Sequence, residues 1–503
     1  MSTKTPVIDY LKTVKPEEVN PSFLAYILNL QEVSKVSPII SSAIVKELES
    51  QRTSLKLIAS ENYCSVPVQL AMGNLLTDKY AEGFSGHRFY AGCDNVDTIE
   101  SEAVEQLKKL FGCEHAYVQP HSGADANLIA FWAILQERVE KPFTTALGAK
   151  TLYDIPKEKW EELRKAFGNQ RLLGLDYFSG GHLTHGYRYN LSAKMFDVYS
   201  YAVSKATGLI DYEALEKQAL EVKPLILLAG YSAYPDKINF KRMREIADKC
   251  GAVLMCDMAH FAGLVAGKVF TGDFSPFPHA HVVTTTTHKT LRGPRGGVVM
   301  CTSEFAEAVD KGCPLVAGGP LPHVMAAKAL AFTEANKPEF SKYAAKIVEN
   351  SKALVKALMA RGLKVVTGNT ENHLLLVDVN AIGLTGRQAE SALRECNITL
   401  NRNSLPYDVN GAWYTSGLRM GTPAVTTLGM GTAEMEKIAD IVKLVLTNTK
   451  PAESGKNDGL MSKAKYIIDA KAKEQAVKLT AELISKFPVY PELDLEFLKK
   501  AFI

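Results

Sequence analysis

Lys289 closes the run HVVTTTTHK over residues 281–289, and a lysine in that setting can act as a nucleophilic amine. Beside His288 and backed by apolar residues, its charged form is disfavoured, and an amine freed of its proton can form a Schiff base with a carbonyl compound. Taken alone, Lys289 reads first as a solvated side chain at a strand end, and the rest of the chain has to decide. Asp257 is the second candidate. It ends the apolar run AVLMCD and precedes MAH, so its carboxylate can pair with a protonated ring nitrogen. The alternative is that Asp257 caps the next segment and His260 is a satisfied core group; with Lys289 one strand later, chemistry is favoured. Arg419 is the third. Within SGLRMGTP it stands between glycines, a setting that suits a guanidinium gripping a carboxylate through two parallel hydrogen bonds.

Weaker signals surround these three. In QPHSGADAN the Ser122-Gly123 turn leads from a strand into a helix, where free N–H groups and the helix dipole attract a phosphate. GGHLTHG carries His182 and His185, and a histidine in a glycine-flanked loop can stack flat on an aromatic ring. An HxxH pair can also ligate a metal, but no Cys, Asp or Glu lies nearby at ligand spacing, so no metal is expected. Tyr80, Glu82, Arg88 and Tyr90 share a loop with Gly83, Gly86 and Gly92 that reads either as chemistry or as a solvated turn. Ser60, Glu61 and Asn62 close the short apolar run of LIASENY, another place where ligand groups collect.

The elements that must position these groups follow from pattern. Valines and four consecutive threonines are β-branched, which predicts a strand over 282–287. KPLILLAG (223–230) is a continuous apolar run, followed by the helix NFKRMREIADKCG and the strand AVLMCD. HAYVQP is a further strand, and 98–111 an amphipathic helix with Ile99, Val104, Leu107 and Leu110 on one side. Strands alternating with helices predict an α/β fold with a mostly parallel central sheet and ligands at the carboxyl ends of its strands.

Residues 1–50 read as a helical arm, with Phe23, Ile27 and Leu30, then Ile40, Ile44 and Leu48, at helical spacing; packing on a partner subunit is one use for it. The large α/β domain is assigned to 51–337, with a charged insertion at 136–171 whose helix behind Pro156 carries Trp160, Leu163 and Phe167. A smaller α+β domain spans 338–503. It opens on a long helix ending at Gly362, continues through strands KVVTG and HLLLVDV, and has a capping box of Thr385 and Gln388 before the next helix. Residues 449–462, rich in Pro, Gly and polar residues, are expected to form a flexible loop, and KEQAVKLTAELISKF the last helix.

Composition narrows the class. With 58 basic and 55 acidic residues in 503, the net charge of +3 gives no reason to invoke nucleic acid or an anionic membrane. Hydrophobic residues at 46% and charged residues at 22% describe an ordinary soluble enzyme. The eight cysteines form no CxxC pair and read as reduced thiols. The N-terminal stretch has no apolar segment of the secretory kind, and the longest apolar run, 251–267, is broken by Asp257 and His260, which argues against a membrane span. A cytoplasmic location is expected.

The motifs LIASENY, KYAEG, QPHSGADAN, GGHLTHG, AGYSAYP, VLMCDMAH, VVTTTTHKTLRGPRGG, ENHLLLVD and SGLRMGTPA stand in one order along most of the chain. In them the sequence resembles the serine hydroxymethyltransferase family. The resemblance implies an aminotransferase-like fold of type I, a homodimer, and pyridoxal 5'-phosphate held by Lys289 as a Schiff base. Asp257 would pair with the pyridinium nitrogen and His182 stack on the ring. Ser122, Gly123, Ser232, His288 and Thr286, with Tyr80 of the neighbouring subunit, would complete the cofactor site. The amino-acid substrate would meet Arg419, Ser60, Tyr90 and His260. Glu82 is implied as the proton-transfer group, so that Lys289, Glu82, His260 and Asp257 form the catalytic set. Tetrahydrofolate, the co-substrate, would meet Glu82, Gly181, Leu183, Asn403 and Tyr177. Serine and tetrahydrofolate would be converted reversibly to glycine and 5,10-methylenetetrahydrofolate. The alternative is a folate-independent aldolase for β-hydroxy amino acids, of the threonine aldolase kind; the retained Glu82, Asn403 and GGHLTHG favour the transferase.

Departures from the family pattern fall on the folate side and at one turn. Phe89 and Tyr177 replace a usual tyrosine and leucine, and Gly411-Ala412-Trp413 replaces a Ser-Pro-Phe-like segment. CPLVAGGP stands where many members have FPGGQGGP, with Leu315 and Val316 at two glycine positions. Segments 136–171 and 449–462 are extra. Arg292 and Arg295, with Gly293, Gly296 and Gly297 shaping the turn after Lys289, fall beside the expected phosphate and substrate pocket.

Overall fold

The computed structural model describes residues 5–455 and 460–503. Seven strands make the central sheet: β1 (His115–Tyr117), β2 (Arg171–Leu175), β3 (Asp197–Tyr201), β4 (Ile226–Gly230), β5 (Val253–Asp257), β6 (Val282–Thr286) and β7 (Gly297–Cys301). Their order is β1-β7-β6-β5-β4-β2-β3, and only β7 runs against its neighbours. β4, β5, β6 and β7 are buried along their whole length, which is why their sequences read as unbroken apolar or threonine runs. Helices cover both faces, so the expected α/β class with a mostly parallel sheet is what the chain forms. Among the covering helices are α1 (Asp94–Phe111), α2 (Gly123–Leu135) and α3 (Pro322–Ala335). Register aligns Gly230 with Asp257, and Asp257 with Thr284, so three adjacent strands bring their carboxyl ends to one edge.

After the long helix α4 (Pro338–Ala360), a second sheet forms from β8 (Lys364–Val365), β9 (Leu374–Asp378), β10 (Asn401–Asn403) and β11 (Gly417–Gly421). It is antiparallel throughout, in the order β8-β9-β11-β10, and has its own core around Leu375, Val377, Leu418 and Met420. The capping box of Thr385 and Gln388 is present at the helix Gly386–Glu395.

Several expectations are corrected. Residues 449–462 do not form a plain loop: Thr449–Glu453 pairs with Met461–Ile468 as a hairpin, and within the expected loop only 456–459 lie outside the described residues. The alternating exposure along Met461–Ile468 is the period-two pattern of a strand. The helix Ala470–Ile484 is not the last, because Leu495–Phe502 follows it and packs on the N-terminal helices. In the helix Pro38–Thr53 the buried stripe is Ser41, Val45 and Leu48, while Ile40 is 52% exposed. Leu48 is buried as expected, while Ile40 and Ile44 were each one residue out of phase. Phe23, Ile27 and Leu30 are buried as expected, against the chain's own C-terminal helix. The run KVVTG keeps only Lys364–Val365 as strand before a helical turn. In the insertion, Lys157–Gly168 is a helix with Leu163 buried.

Candidate active site

Lys289 follows β6 by three residues, in a turn held from several sides. The Arg292 N–H donates to the Lys289 carbonyl at 3.0 Å, and Asn62 Nδ2 donates to the same carbonyl at 2.9 Å. Asn62 also donates to Tyr343 Oη at 2.7 Å and accepts from Thr427 Oγ1 at 2.7 Å, so the turn is tied to both α4 and the segment after β11. Arg292 takes a left-handed φ of 62° and lays its guanidinium 5.0 Å over the Tyr343 ring. The side chain of Lys289 lies in the wall shared by two adjoining cavities, one of about 640 Å³ and one of about 210 Å³. Burial lowers its ammonium to about 8; the Asp257 carboxylate opposes the shift, and the cations of Arg419 and Arg295 add to it.

Asp257, at the end of β5, faces the smaller cavity. Its Oδ1 accepts the Ala259 N–H at 3.0 Å, and its Oδ2 accepts from Asn127 Nδ2 at 2.8 Å and His185 Nε2 at 3.0 Å. His185 Nδ1 in turn accepts the His182 N–H at 3.3 Å, which places the imidazole proton on Nε2. Burial opposes the charge on Asp257, but the hydrogen bond from His185, with a second from Asn127, holds the carboxyl below its usual range. The acid stays ionised at neutral pH.

His182 lines both cavities. Burial, reinforced by His185, lowers its pKa to about 4, so the ring is neutral and suited to stacking on a ring. Thr184 fixes its orientation, donating its N–H to Nδ1 at 3.2 Å. Asn127 ties the set together: it donates to Thr184 Oγ1 at 2.8 Å as well as to Asp257, and accepts from Thr284 Oγ1 at 2.5 Å.

The smaller cavity ends in a cup at the start of α2. Ser122 caps that helix, its Oγ accepting the Asp125 N–H at 3.1 Å, and Ser122, Gly123 and Ala124 line the cavity at the helix start, where N–H groups lack intrahelical acceptors. A Cβ on Gly123 would come 2.6 Å from Thr286 Cγ2, and one on Gly297 would come 2.2 Å from the Ser122 carbonyl, so the cup exists only because both are glycine. His288 lines the same cavity and has a buried Nδ1 without a hydrogen-bond partner among the described residues; burial, with Arg295 and Lys289, lowers its pKa to about 3. A flat ring with a protonated nitrogen at one end and a phosphate at the other fits this donor set.

Arg419 sits mid-strand in β11, opposite Leu376 of β9 and Asn401 of β10. Its Nη1 donates to the Ser232 carbonyl at 2.6 Å and its Nε to Asn401 Oδ1 at 3.0 Å, which leaves the Nη2 edge for a ligand in the larger cavity. Burial lowers it to about 10, so it remains a cation. His260 faces the same space with Nδ1 3.2 Å from His373 Nε2, and burial keeps both imidazoles neutral. Ser60, Gly181, Leu183, Tyr177, Asn403 and Ala412 line the larger cavity. Trp413, next to Ala412, is 63% exposed, with the guanidinium groups of Arg387 and Arg402 5.3 and 5.9 Å from its ring.

Three expected site residues are elsewhere in the single chain. Tyr80, Glu82 and Tyr90 line neither cavity; Tyr80 is 57% and Tyr90 46% exposed, their rings 4.9 Å apart, and Tyr80 and Glu82 lie near Gly319 with Tyr80 Oη 3.4 Å from Glu82 Oε1. Phe89 is likewise on the surface. Leu315 and Val316 have no left-handed backbone. They lie in the helical turn Cys313–Ala317, and the left-handed residue is Gly318. The absence of an acid near His182 and His185 is also corrected, since Asp257 brings its ligand atom within 4.8 Å of both. His185 Nε2 is engaged with Asp257 as a hydrogen-bond donor, the arrangement of an oriented acid and imidazole.

Sequence reading missed Asn127, His373, Asn401 and Tyr343, and named His185 without foreseeing its hydrogen bond to Asp257. Asn127 had a signal, lying one helical turn beyond Gly123 on the same face of α2. The others meet the site from far along the chain and carry none.

The profile of the family described as serine hydroxymethyltransferase matches residues 33–145 and 166–442, passing over part of the insertion. A protein of Treponema pallidum named Serine hydroxymethyltransferase is 59% identical over 493 residues, 98% of this chain and 86% of its own length. One of the same name from Salinispora tropica is 56% identical over 95% of this chain and 99% of its own. A third, from Mycolicibacterium smegmatis, is 57% identical over 94% of this chain and 95% of its own.

Proposed function

The chain belongs to the serine hydroxymethyltransferase family, and from that premise we propose how its residues carry the reaction. It is an enzyme that interconverts serine and glycine, exchanging the one-carbon unit with tetrahydrofolate. The relatives carry the transferase name, so the folate-independent aldolase is not favoured. The observation that supports the site assignment most directly is the convergence of Lys289, Asp257 and Arg419, from three separate elements, on adjoining cavities.

Pyridoxal phosphate bound at Lys289 would supply an electron sink for the pair left on the amino acid's α-carbon. The protein's part is positioning and proton control. Asp257, held ionised, would keep the proton on the ring nitrogen; neutral His182 would cover one ring face; the start of α2, with Ser122, Gly123 and Thr286, would receive the phosphate, and Ser232 and His288 would close the pocket. Arg419 grips the substrate carboxylate, with Ser60 and His260 on either side. As the Cα–Cβ bond of serine breaks, its hydroxyl proton would pass to a Glu82 carboxylate oxygen and the β-carbon would leave as formaldehyde; tetrahydrofolate, held along Tyr177, Gly181, Leu183 and Asn403, would condense with it through two nitrogens with loss of one water, and the α-carbon would take up a proton to give glycine.

Tyr80, Glu82 and Tyr90 belong to this proposal as residues that each copy lends to its neighbour in a homodimer. Their position off the cavity supports it, as do the exposed apolar residues Val36, Ile39 and Leu75 on the same chain. The division of the chain near residues 50 and 337 belongs to the same proposal and is supported by the separate sheets and cores. A cytoplasmic location is proposed with it, in keeping with eight free cysteines. Among the described residues no helix is long and apolar enough to cross a membrane.

The test is optical. Adding tetrahydrofolate to the glycine-loaded enzyme should raise the cofactor's long-wavelength absorbance sharply, because folate completes the site in which the glycine α-proton is removed. An absorbance that ignores tetrahydrofolate would overturn the folate half of the assignment.

A further inference from the structure

Lys328 lies in the middle of α3 and is only 1% exposed, one of the largest fully buried side chains in the protein. A buried lysine is costly unless every proton finds an acceptor. Here each does: Nζ donates to the carbonyls of Val118 at 2.5 Å, Pro120 at 2.9 Å and Gly297 at 2.9 Å. Among the described residues its hydrogen-bond partners are these three backbone oxygens, and no carboxylate is among them. Three donated bonds require the ammonium form, since a neutral amine has two protons to give. Burial pulls this group down to about 7, with Cys313, Glu100 and Asp125 opposing the shift.

The three acceptors share one place in the fold. Val118 and Pro120 follow β1 and lead directly into Ser122, while Gly297 opens β7. The Gly297 N–H also donates to the Pro120 carbonyl at 3.0 Å, and Gly297 packs so closely on the Ser122 carbonyl that a Cβ would meet it at 2.2 Å. On the other side, a Cβ on Gly296 would come 2.5 Å from Lys328 Cε. The ammonium therefore ties together the two backbone segments that form the floor of the cup at the start of α2.

We propose that Lys328 is a positioning residue for the cofactor: a buried cation that clamps Val118, Pro120 and Gly297 so that Ser122 and Gly123 present their donors to the phosphate. The inference rests on the pyridoxal-phosphate reading of the site. It separates the phosphate end, which Lys328 holds, from the ring end, which Asp257 and His182 hold.

The experiment compares two probes on the full-length enzyme and its Lys328→Met variant: pyridoxal 5'-phosphate and pyridoxal, which lacks the phosphate. Dissociation constants come from equilibrium dialysis with absorbance readout. The wild-type protein should prefer pyridoxal 5'-phosphate strongly. In Lys328→Met the affinity for pyridoxal 5'-phosphate should fall about tenfold or more, as misplaced charge-assisted contacts to the phosphate imply, while that for pyridoxal changes less than about twofold. Equal loss for both probes, or loss for neither, overturns the proposal. If Lys328→Met does not fold, Gly296→Ala decides, because its new methyl displaces the ammonium while the lysine stays; it should give the same selective loss, and an unselective one overturns the idea. A wild-type protein that takes up neither probe refutes the pyridoxal-phosphate reading itself, a failure distinct from that of the variants.

Discussion

Replacing Arg419 by lysine keeps a positive charge in the larger cavity but removes the planar fork. In the native site two of the guanidinium's donors are spent on the Ser232 carbonyl and Asn401 Oδ1, which orient the remaining edge. A lysine has three donors on one atom and cannot satisfy both holders and two carboxylate oxygens together. One charge-assisted hydrogen bond to the substrate is lost, worth about 2 kcal/mol, or about thirtyfold in kcat/KM. Because the carboxylate is gripped equally before and during bond cleavage, the loss should appear as a raised KM for serine with kcat nearly unchanged. Asn401→Ala, which frees one side of the guanidinium, should cost about 1 kcal/mol, or about fivefold, in the same parameter. The assay is steady-state serine kinetics at saturating cofactor and tetrahydrofolate, with thermal melting as a control for folding. A KM that stays within about threefold of wild type in Arg419→Lys, or a collapse of kcat with KM intact, would falsify the carboxylate-binding role.

Asp257→Asn should leave His185 and Asn127 donating toward an amide that can accept only on one side; cofactor affinity and kcat should both drop, by at least about a hundredfold in kcat for an uncompensated loss of about 3 kcal/mol at the ring nitrogen. Unchanged absorbance and rate would remove Asp257 from the ring. Lys289 is an ammonium with a folded-state value of about 8, below the 10.5 of a free lysine. Its reactive neutral form is therefore roughly one in ten at pH 7 and grows as pH rises through 8, so cofactor capture by the cofactor-free enzyme should accelerate over that interval and level off above it. A rate still climbing toward pH 10 would mean an unshifted lysine. Glu82→Gln and Lys289→Ala should each be inactive alone, yet mixed dimers of the two should regain part of the wild-type rate, since one of their two sites is complete. Full inactivity of the mixture would place Glu82 in its own chain's site.

The central strands β4, β5 and β6 were legible because strands buried on both faces carry unbroken apolar or β-branched runs, whereas β2, β3 and β7 went unread. The capping box at Thr385 and Gln388 was legible because it is a local hydrogen-bond exchange between residues three apart. Phase and composition misled where two patterns overlap. Ile40 and Ile44 are as apolar as their neighbours, and only the packing of Pro38–Thr53 on its surroundings turns Ser41 and Val45 inward. At Met461–Ile468 the alternation of a strand was present, but the Pro and Gly content just before it suggested a loop. The candidate site was legible in its strand-end groups and in the resemblance carried by its motifs. Its supporting contacts were not, because they join residues far apart: His185 with Asp257, His260 with His373, and Asn62 with Lys289 are 72, 113 and 227 positions apart. No local spacing rule reaches that distance.

The central claim is that one lysine carries the cofactor. Borohydride reduction of the holoenzyme, followed by digestion and peptide mapping, fixes the cofactor to the amine that holds it. The pyridoxyl group is predicted on the peptide containing Lys289 alone; its appearance on Lys328 or any other lysine contradicts the account.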